Sequence, residues 1–189
     1  MIELTKGQEL ALAGEDGGPL TRVRMGLGWD KLPTAGFIGS GAPDVDLDAT
    51  AVQFASGQLF DLAFYNNLQT RDGSVIHLGD NISGRGEGDD EAVTVDLGRV
   101  HGPVDTVIFL VSSYQGHSLE WVANAYCRLV DDETDTELAR FTLSLGVQDT
   151  GLAMAKLFRD GEGWRIRAIG EGIPVTVPTK SLDSLQPFL

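Results

Sequence analysis

The sequence is poor in the residues on which several common kinds of site depend. It has one cysteine, Cys127, which excludes an internal disulfide and a cysteine-rich zinc site. Cys127 sits in a strand-like apolar segment, where a small buried side chain is expected rather than a nucleophile. The histidines His77, His101 and His117 are too far apart in sequence for zinc-binding spacings such as His-x3-His, and each is expected at the surface or in a structural role. There is no Gly-x-Ser-x-Gly elbow, so the sequence gives no support for a serine hydrolase.

Positive charge is also scarce. Lysine and arginine number 14 against 28 aspartates and glutamates, so the formal net charge is 14 − 28 = −14. This balance argues against nucleic acid as a partner and against a polybasic contact with a membrane surface. Excess acid suits calcium binding, but it also serves solubility alone, because net charge does not locate a site.

Long hydrophobic runs are missing. The longest strongly apolar stretch, residues 107–111, is far shorter than the roughly 20 residues that span a bilayer. Residues 1–6 lack a basic segment followed by an apolar run, as a secretory signal would have. A single cysteine is compatible with a reducing compartment. We therefore expect a soluble, cytoplasmic protein without membrane insertion.

Short segments that alternate polar with apolar residues predict an all-β fold. Residues 21–27 and 92–97 alternate in this way, and residues 106–111 are apolar throughout, as in a central strand buried on both faces. We expect one domain over residues 1–189, an antiparallel β-sandwich with one or two short helices. Further expectations are an N-terminal hairpin formed by Leu4 with residues 9–12, a helix at 150–158, one helical turn at 118–122 and an irregular, proline-containing tail from about residue 173.

The acidic, glycine-rich segment at residues 80–91 is the main candidate for a site. Five acids against Arg85 give it a formal charge of −4, and alternate glycines at 84, 86 and 88 allow a tight backbone. Oxygen donors on a tight loop suit a hard cation, above all calcium. The alternative is an acidic surface loop. Its oxygen-bearing side chains are Asp80, Asn81, Ser83, Glu87, Asp89, Asp90 and Glu91.

This segment does not match the better-known loop motifs. An EF-hand that began at Asp80 would need Asp or Asn at its third and fifth positions, where the sequence has Ile82 and Gly84; only Glu91, at the twelfth, fits. The glycine spacing is not that of a dinucleotide-binding fingerprint, and no Lys-Ser/Thr pair forms a P-loop.

Other oxygen donors lie elsewhere in the chain. Asp30 follows a strand-like segment, and aspartates at 44, 46 and 48 alternate, so an extended chain would place them on one face. Asn66 and Asn67 follow another apolar segment. Each of these groups, taken alone, is interpreted as a polar turn. Taken together with the glycine-rich segment, the groups predict one shared cation site.

Together these segments resemble the TerD family of bacterial tellurium-resistance and stress-response proteins, over residues from about 2 to 172. Two regions depart from the family pattern. Residues 112–117 are shorter than the corresponding family segment and lack the histidine of its Thr-Ile-His sequence, and the tail from Ile173, which contains prolines, replaces the family's Gly-rich, helical C-terminus. The matching segments are residues 4–7, 26–30, 46–49, 64–68, 72–75, 79–81, 84–91, 124–131, 137–141 and 164–170.

The resemblance implies a β-sandwich that binds two adjacent calcium ions without being an enzyme, with backbone carbonyls of residues 83–88 among the ligands. It also implies partners among other proteins of the same stress-resistance system, including proteins at the membrane. The alternative is a metal-dependent enzyme that hydrolyses phosphate esters or related substrates at the same site. Direct reduction of tellurite has little support, because it would depend on Cys127. The implied side-chain ligands are Asp30, Asp46, Asp48, Asn66, Asn67, Asp80, Asn81, Asp89, Asp90 and Glu91.

Overall fold

The computed structural model describes residues 1–14, 17–31, 45–79, 88–143 and 147–189, which fold into two six-stranded sheets. The candidate ligands Asp80 and Asn81 lie outside the described residues, as do residues 82–87. The first sheet has the order β1-β10-β9-β3-β7-β6, and its strands are β1 (Ile2–Glu3), β3 (Arg22–Lys31), β6 (Val75–His77), β7 (Glu91–Asp96), β9 (Val122–Asp131) and β10 (Thr136–Thr142). The second has the order β2-β12-β11-β8-β4-β5, and its strands are β2 (Glu9–Ala11), β4 (Leu47–Ala55), β5 (Gln58–Ala63), β8 (Thr106–Ser113), β11 (Gly151–Asp160) and β12 (Gly163–Ile173).

The two sheets pack face to face, which confirms the predicted all-β sandwich. Neighbouring strands are antiparallel except for β1 and β10, which run parallel. Alternate side chains of β3, from Val23 to Trp29, are buried in the central core. β8 is buried along its whole length, as predicted, with Phe109 between the sheets and Ile108 on the outer face of the second sheet.

Residues after β12 cover that outer face. The tail contains a short helix, α1 (Leu182–Leu185), between single 3-10 turns at Pro178–Lys180 and Gln186–Phe188. Leu185 is fully buried in a second apolar cluster with residues such as Phe54 and Ile108. A further 3-10 turn at Leu119–Trp121 matches the predicted helical turn. No helix among the described residues is long and apolar enough to cross a membrane.

Two local predictions are wrong. The segment predicted as a helix at 150–158 is β11, which pairs with β8 on one side and β12 on the other. A strand in this central position carries apolar side chains on both faces, and a register shift at Ala153–Ala155 further obscures the period of two. The predicted N-terminal hairpin does not form, because β1 pairs with β10 and β2 pairs with β12 in the other sheet.

The strand β5 forms one edge of the second sheet, and polar side chains donate hydrogen bonds to its backbone carbonyls. The Arg71 guanidinium donates to the carbonyl oxygen of Phe60 and lies 3.2 Å from the Asp61 carboxylate. The Asn67 amide nitrogen donates to the carbonyl of Leu62 at 2.7 Å. Side chains therefore satisfy two backbone carbonyls of this edge strand.

Candidate metal centre

The segments predicted to supply ligands meet at one end of the sandwich, which we call the acidic end. Strand pairing places Leu27 of β3 opposite Glu91 at the start of β7, and Leu47 at the start of β4 opposite Ser113 at the end of β8. The turn after β5 joins this end because Ala63 pairs with Ala51. The described candidate ligands here are Asp30, Asp46, Asp48, Asn66, Asn67, Asp89, Asp90 and Glu91.

Glu91 links the two sheets at this end. Its side chain is fully buried, and its carboxylate accepts a hydrogen bond from the backbone N–H of Ala49, the residue after Asp48. The same carboxylate oxygen lies 3.5 Å from Nε2 of the buried His77. The backbone N–H of Gly79 donates to His77 Nδ1 at 3.2 Å, so a neutral imidazole carries its proton on Nε2. Sequence reasoning missed His77 as a neighbour of the site, because its closeness to Glu91 depends on the pairing of β6 with β7.

Asp90 extends the pairing between β3 and β7. Its N–H donates to the carbonyl of Leu27 at 2.7 Å, and its carboxylate accepts from the N–H of Trp29 at 3.0 Å. Burial raises the pKa of the Asp90 carboxyl, the Trp29 N–H lowers it, and the negative charges of Asp30 and Asp89 raise it, with a net upward shift. A nearby cation would stabilise the charged form of such a carboxylate, because it offsets the surrounding negative charge.

Asp89 points to a different place. Its two carboxylate oxygens accept from Nε and Nη2 of Arg128 at 2.7 and 2.9 Å, in a two-pronged ion pair on the outer face of the first sheet. The Tyr126 hydroxyl lies 3.0 Å from the Gly88 carbonyl oxygen and 3.3 Å from Asp89 Oδ1. Gly26 makes room for this arrangement, because a Cβ atom there would lie 2.0 Å from Asp89 Oδ2.

A bulge in the pairing of β3 with β9 sets the position of Asp30. The register shifts between Gly28 and Asp30, and Asn124 on the facing strand adopts a left-handed backbone with φ of 50°. The Asn124 amide donates to the Asp30 carboxylate at 2.8 Å. Asp30 is solvent-exposed and close enough to Asp90 to influence its pKa.

The remaining donors lie on β4 and in the turn after β5. Asp48 is buried opposite Ser112 of β8. Burial of Tyr65 is the main cause of the raised pKa of its hydroxyl, and the negative charge of Asp48 raises this pKa further. The backbone carbonyl of Asp46 accepts from the N–H of Tyr114 at 3.2 Å. Asn66 and Asn67 are exposed in the turn. The side-chain nitrogen of Asn67 donates a hydrogen bond to β5, whereas its Oδ1 is an acceptor atom.

These residues fit a hard cation in chemical type, because they offer carboxylate and amide oxygens and no thiolate. Within the described ranges, no three histidine, cysteine, aspartate or glutamate side chains are close enough to hold a metal ion by themselves. Asp80 and Asn81, which the sequence also predicts as ligands, lie outside those ranges.

Comparison with known proteins places the chain in a family. The model of the TerD domain matches residues 1–179. The chain is 37% identical over 174 residues to tellurium resistance protein TerZ of Serratia marcescens, which covers 90% of this chain and 89% of that protein. It is 34% identical over 184 residues to stress response protein SCP2 of Bacillus subtilis (strain 168), covering 90% of this chain and 92% of that protein.

A solved structure shares the fold. It is a Streptomyces coelicolor A3(2) homologue of the telluride resistance protein TerD, with a TM-score of 0.69 and 22% identity over 86% of this chain and 95% of that one. The molecule is thus a β-sandwich whose fold that structure shares. The chain belongs to the TerD family, whose members include tellurium-resistance and stress-response proteins.

Proposed function

We propose that this protein is a calcium-binding, non-enzymatic component of a bacterial stress response, and that its acidic end holds two calcium ions. The observation that carries the proposal is the position of Glu91, which crosses from β7 to the backbone beside Asp48 on the opposite sheet. Two buried carboxylates from different sheets thereby reach the same end of the molecule. A cation held there would join the two sheets.

Electrostatics supports the same assignment. Asp90 lies in the field of Asp30 and Asp89, and its raised pKa reflects both burial and that field. Carboxylates crowded in this way repel one another unless a cation or proton neutralises them. Calcium takes six to eight oxygen ligands, so two ions need about 12 to 16 ligand positions, some shared or filled by water. We assign the remaining ligands to Asp80, Asn81 and carbonyls of residues 83–88.

Two cavities in the described part of the chain lie away from the candidate ligands. One cavity of about 370 Å³ is lined by Arg159, Trp164 and neighbouring residues, and another of about 170 Å³ by Lys156, Arg167 and the tail. Neither is lined by a candidate ligand. The partners proposed for the calcium-loaded protein are other proteins of the same stress-resistance system.

The test is calorimetric titration with calcium, together with thermal unfolding in calcium and in chelator. We expect two ions per chain and, at a calcium concentration 100 times Kd, about 2.7 kcal/mol of added stability for each ion. For a domain of this size, each ion then raises Tm by roughly 5–10 °C. Asp90→Asn and Glu91→Gln should remove most of this shift, whereas Asp183→Asn, on an exposed residue of α1, should retain it.

An absence of binding heat, together with equal Tm values in calcium and chelator, would contradict the proposal. Magnesium in place of calcium tests selectivity, because magnesium dehydrates reluctantly and demands near-octahedral geometry. Calcium-dependent hydrolysis of a phosphate ester by the wild type, lost in Glu91→Gln, would support the enzyme alternative.

A further inference from the structure

We propose that Asp89 is not a calcium ligand but an anchor, held by Arg128, that aims Asp90 and Glu91 into the calcium site. The calcium part of this inference rests on the proposed function, whereas the anchor itself does not. The three acids Asp89, Asp90 and Glu91 are consecutive in sequence, and the structure sends their side chains in three directions. Asp89 points to the outer face of the first sheet, Asp90 to the backbone of β3, and Glu91 between the sheets.

Asp89 and Arg128 form a two-pronged ion pair that is largely shielded from solvent. Two parallel N–H···O bonds join the guanidinium to the carboxylate, the geometry in which arginine binds carboxylates most strongly. Both side chains are largely shielded, with 25% of the Arg128 side chain and 11% of that of Asp89 exposed. The hydrogen bond to Asp89 is the main cause of the raised pKa of Arg128. For Asp89 to bind calcium through both carboxylate oxygens, the ion would have to displace this arginine.

Arg128 is itself fixed by neighbours on β10. Glu137 accepts from Arg128 Nη1 at 3.2 Å and from Arg140 Nε at 2.8 Å. Arg140 lies over the ring of Tyr126, with 4.2 Å between the guanidinium carbon and the ring centroid. Two arginines and two carboxylates therefore balance in charge without a metal ion.

Neighbouring residues provide the space and the backbone position that Asp89 requires. Gly26 provides the space that the carboxylate occupies, and no other residue type could do so without moving Asp89. The Tyr126 hydroxyl holds the Gly88 carbonyl, which fixes the chain just before the anchor. One residue later, the N–H of Asp90 donates to Leu27 and the pairing of β7 with β3 begins. The anchor thus sets where the strand starts and which way the next two carboxylates face.

Calcium titration of matched variants separates an anchor from a ligand. An anchor predicts that Asp89→Asn and Arg128→Gln both keep two ions per chain and weaken binding to a similar extent, by about 10-fold to 100-fold, as is typical for residues that orient metal ligands. The double variant should bind about as weakly as either single variant, because both remove one contact. Arg128→Lys should restore part of the affinity, since lysine keeps the charge but not the fork.

Gly26→Ala gives a second test that changes no charge, because its methyl group would strike Asp89. It should weaken calcium binding in the same range without changing the stoichiometry. A ligand role for Asp89 predicts the opposite pattern. Asp89→Asn would then lose one ion, and Arg128→Gln would bind calcium more tightly through removal of a competing cation; either result would overturn the inference.

Hydrogen exchange in chelator tests the anchor without calcium. The Asp90 amide, bonded to Leu27, should exchange faster in Asp89→Asn and in Arg128→Gln, and to the same extent. Unchanged exchange in both variants would overturn the anchor. If the wild type binds no calcium, the proposed function fails, and the exchange result still decides whether Asp89 and Arg128 fix this strand.

Discussion

The ring of Tyr126 lies directly on Gly28, so that a Cβ atom at Gly28 would come within 2.5 Å of the tyrosine Cζ and hydroxyl oxygen. Gly26 and Gly28 alternate on the outer face of β3, one beneath Asp89 and the other beneath Tyr126. The Gly-Leu-Gly sequence therefore meets two separate space requirements on one face, while Leu27 fills the core on the other.

Gly28→Ala should destabilise the protein by about 1–3 kcal/mol, because the tyrosine ring must move from its place between β3 and Arg140. Urea unfolding measures the change. Gly102→Ala is the matched control, since a Cβ there meets no atom within 4 Å, and it should leave stability within about 0.5 kcal/mol. A loss in Gly28→Ala no larger than in the control would contradict the packing argument.

Truncating the tail at its most buried side chain should be costly. Leu185 is fully buried against the outer face of the second sheet, so Leu185→Ala should lower the free energy of unfolding by about 2–5 kcal/mol. Leu189→Ala, at a residue 37% exposed, should cost much less. Equal losses in the two variants, measured by urea unfolding, would show that the tail does not pack as described.

Asp72 should make stability depend on acid pH. Burial raises the pKa of its carboxyl, but hydrogen bonds from the N–H groups of His101 and Ser74 and from the hydroxyls of Thr70 and Ser74 lower it to about 2. Because the folded-state pKa lies below the unfolded value of 3.8, this stabilisation is complete above about pH 4 and is lost as pH falls toward 2.

Asp72→Asn should therefore destabilise the protein by roughly 1–3 kcal/mol at pH 6, and the difference from wild type should shrink between pH 4 and pH 2. Urea unfolding across this range measures it. A difference that stays constant down to pH 2 would mean that the charge of Asp72 contributes nothing to folding.

Cys127 should be chemically silent in the folded protein. The thiol is buried in the core between β3 and β10, and burial raises its pKa to about 12. A disulfide reagent at pH 8 should label no thiol in the native state and one after unfolding in urea. Rapid labelling of the native protein would reopen a direct redox role for this residue, including reduction of tellurite.

The sequence predicts the fold where one face of a strand is apolar and the other polar, as in β3 and β7. It fails at β11, because a strand with neighbours on both sides and apolar residues on both faces shows no period of two. It also fails at the N-terminus, where Leu4 and the residues after Glu9 pair with distant strands rather than with each other. Pairing over more than a hundred residues leaves no local pattern.

For the candidate site, the sequence predicts which residues could be ligands but not the direction of each side chain. Asp89, Asp90 and Glu91 look equivalent as a run of acids, and only Arg128, 39 residues beyond Asp89, separates their roles. His77 enters the neighbourhood of the site because β6 pairs with β7, which no spacing rule reveals. The roles of these residues depend on contacts between strands.

The hydrogen bonds from Arg71 and Asn67 to β5 affect whether a second copy of the chain could add to this edge. An exposed strand at a sheet edge offers unpaired backbone groups to a second chain, and a sandwich has such an edge at both sides of each sheet. Here three of the edge strands, β1, β2 and β6, are only two or three residues long, and the six-residue β5 has its Phe60 and Leu62 carbonyls bonded to side chains. Edge-to-edge addition of another copy would have to break those bonds first, so the turn that carries the candidate ligand Asn67 also helps to block this edge of the sheet.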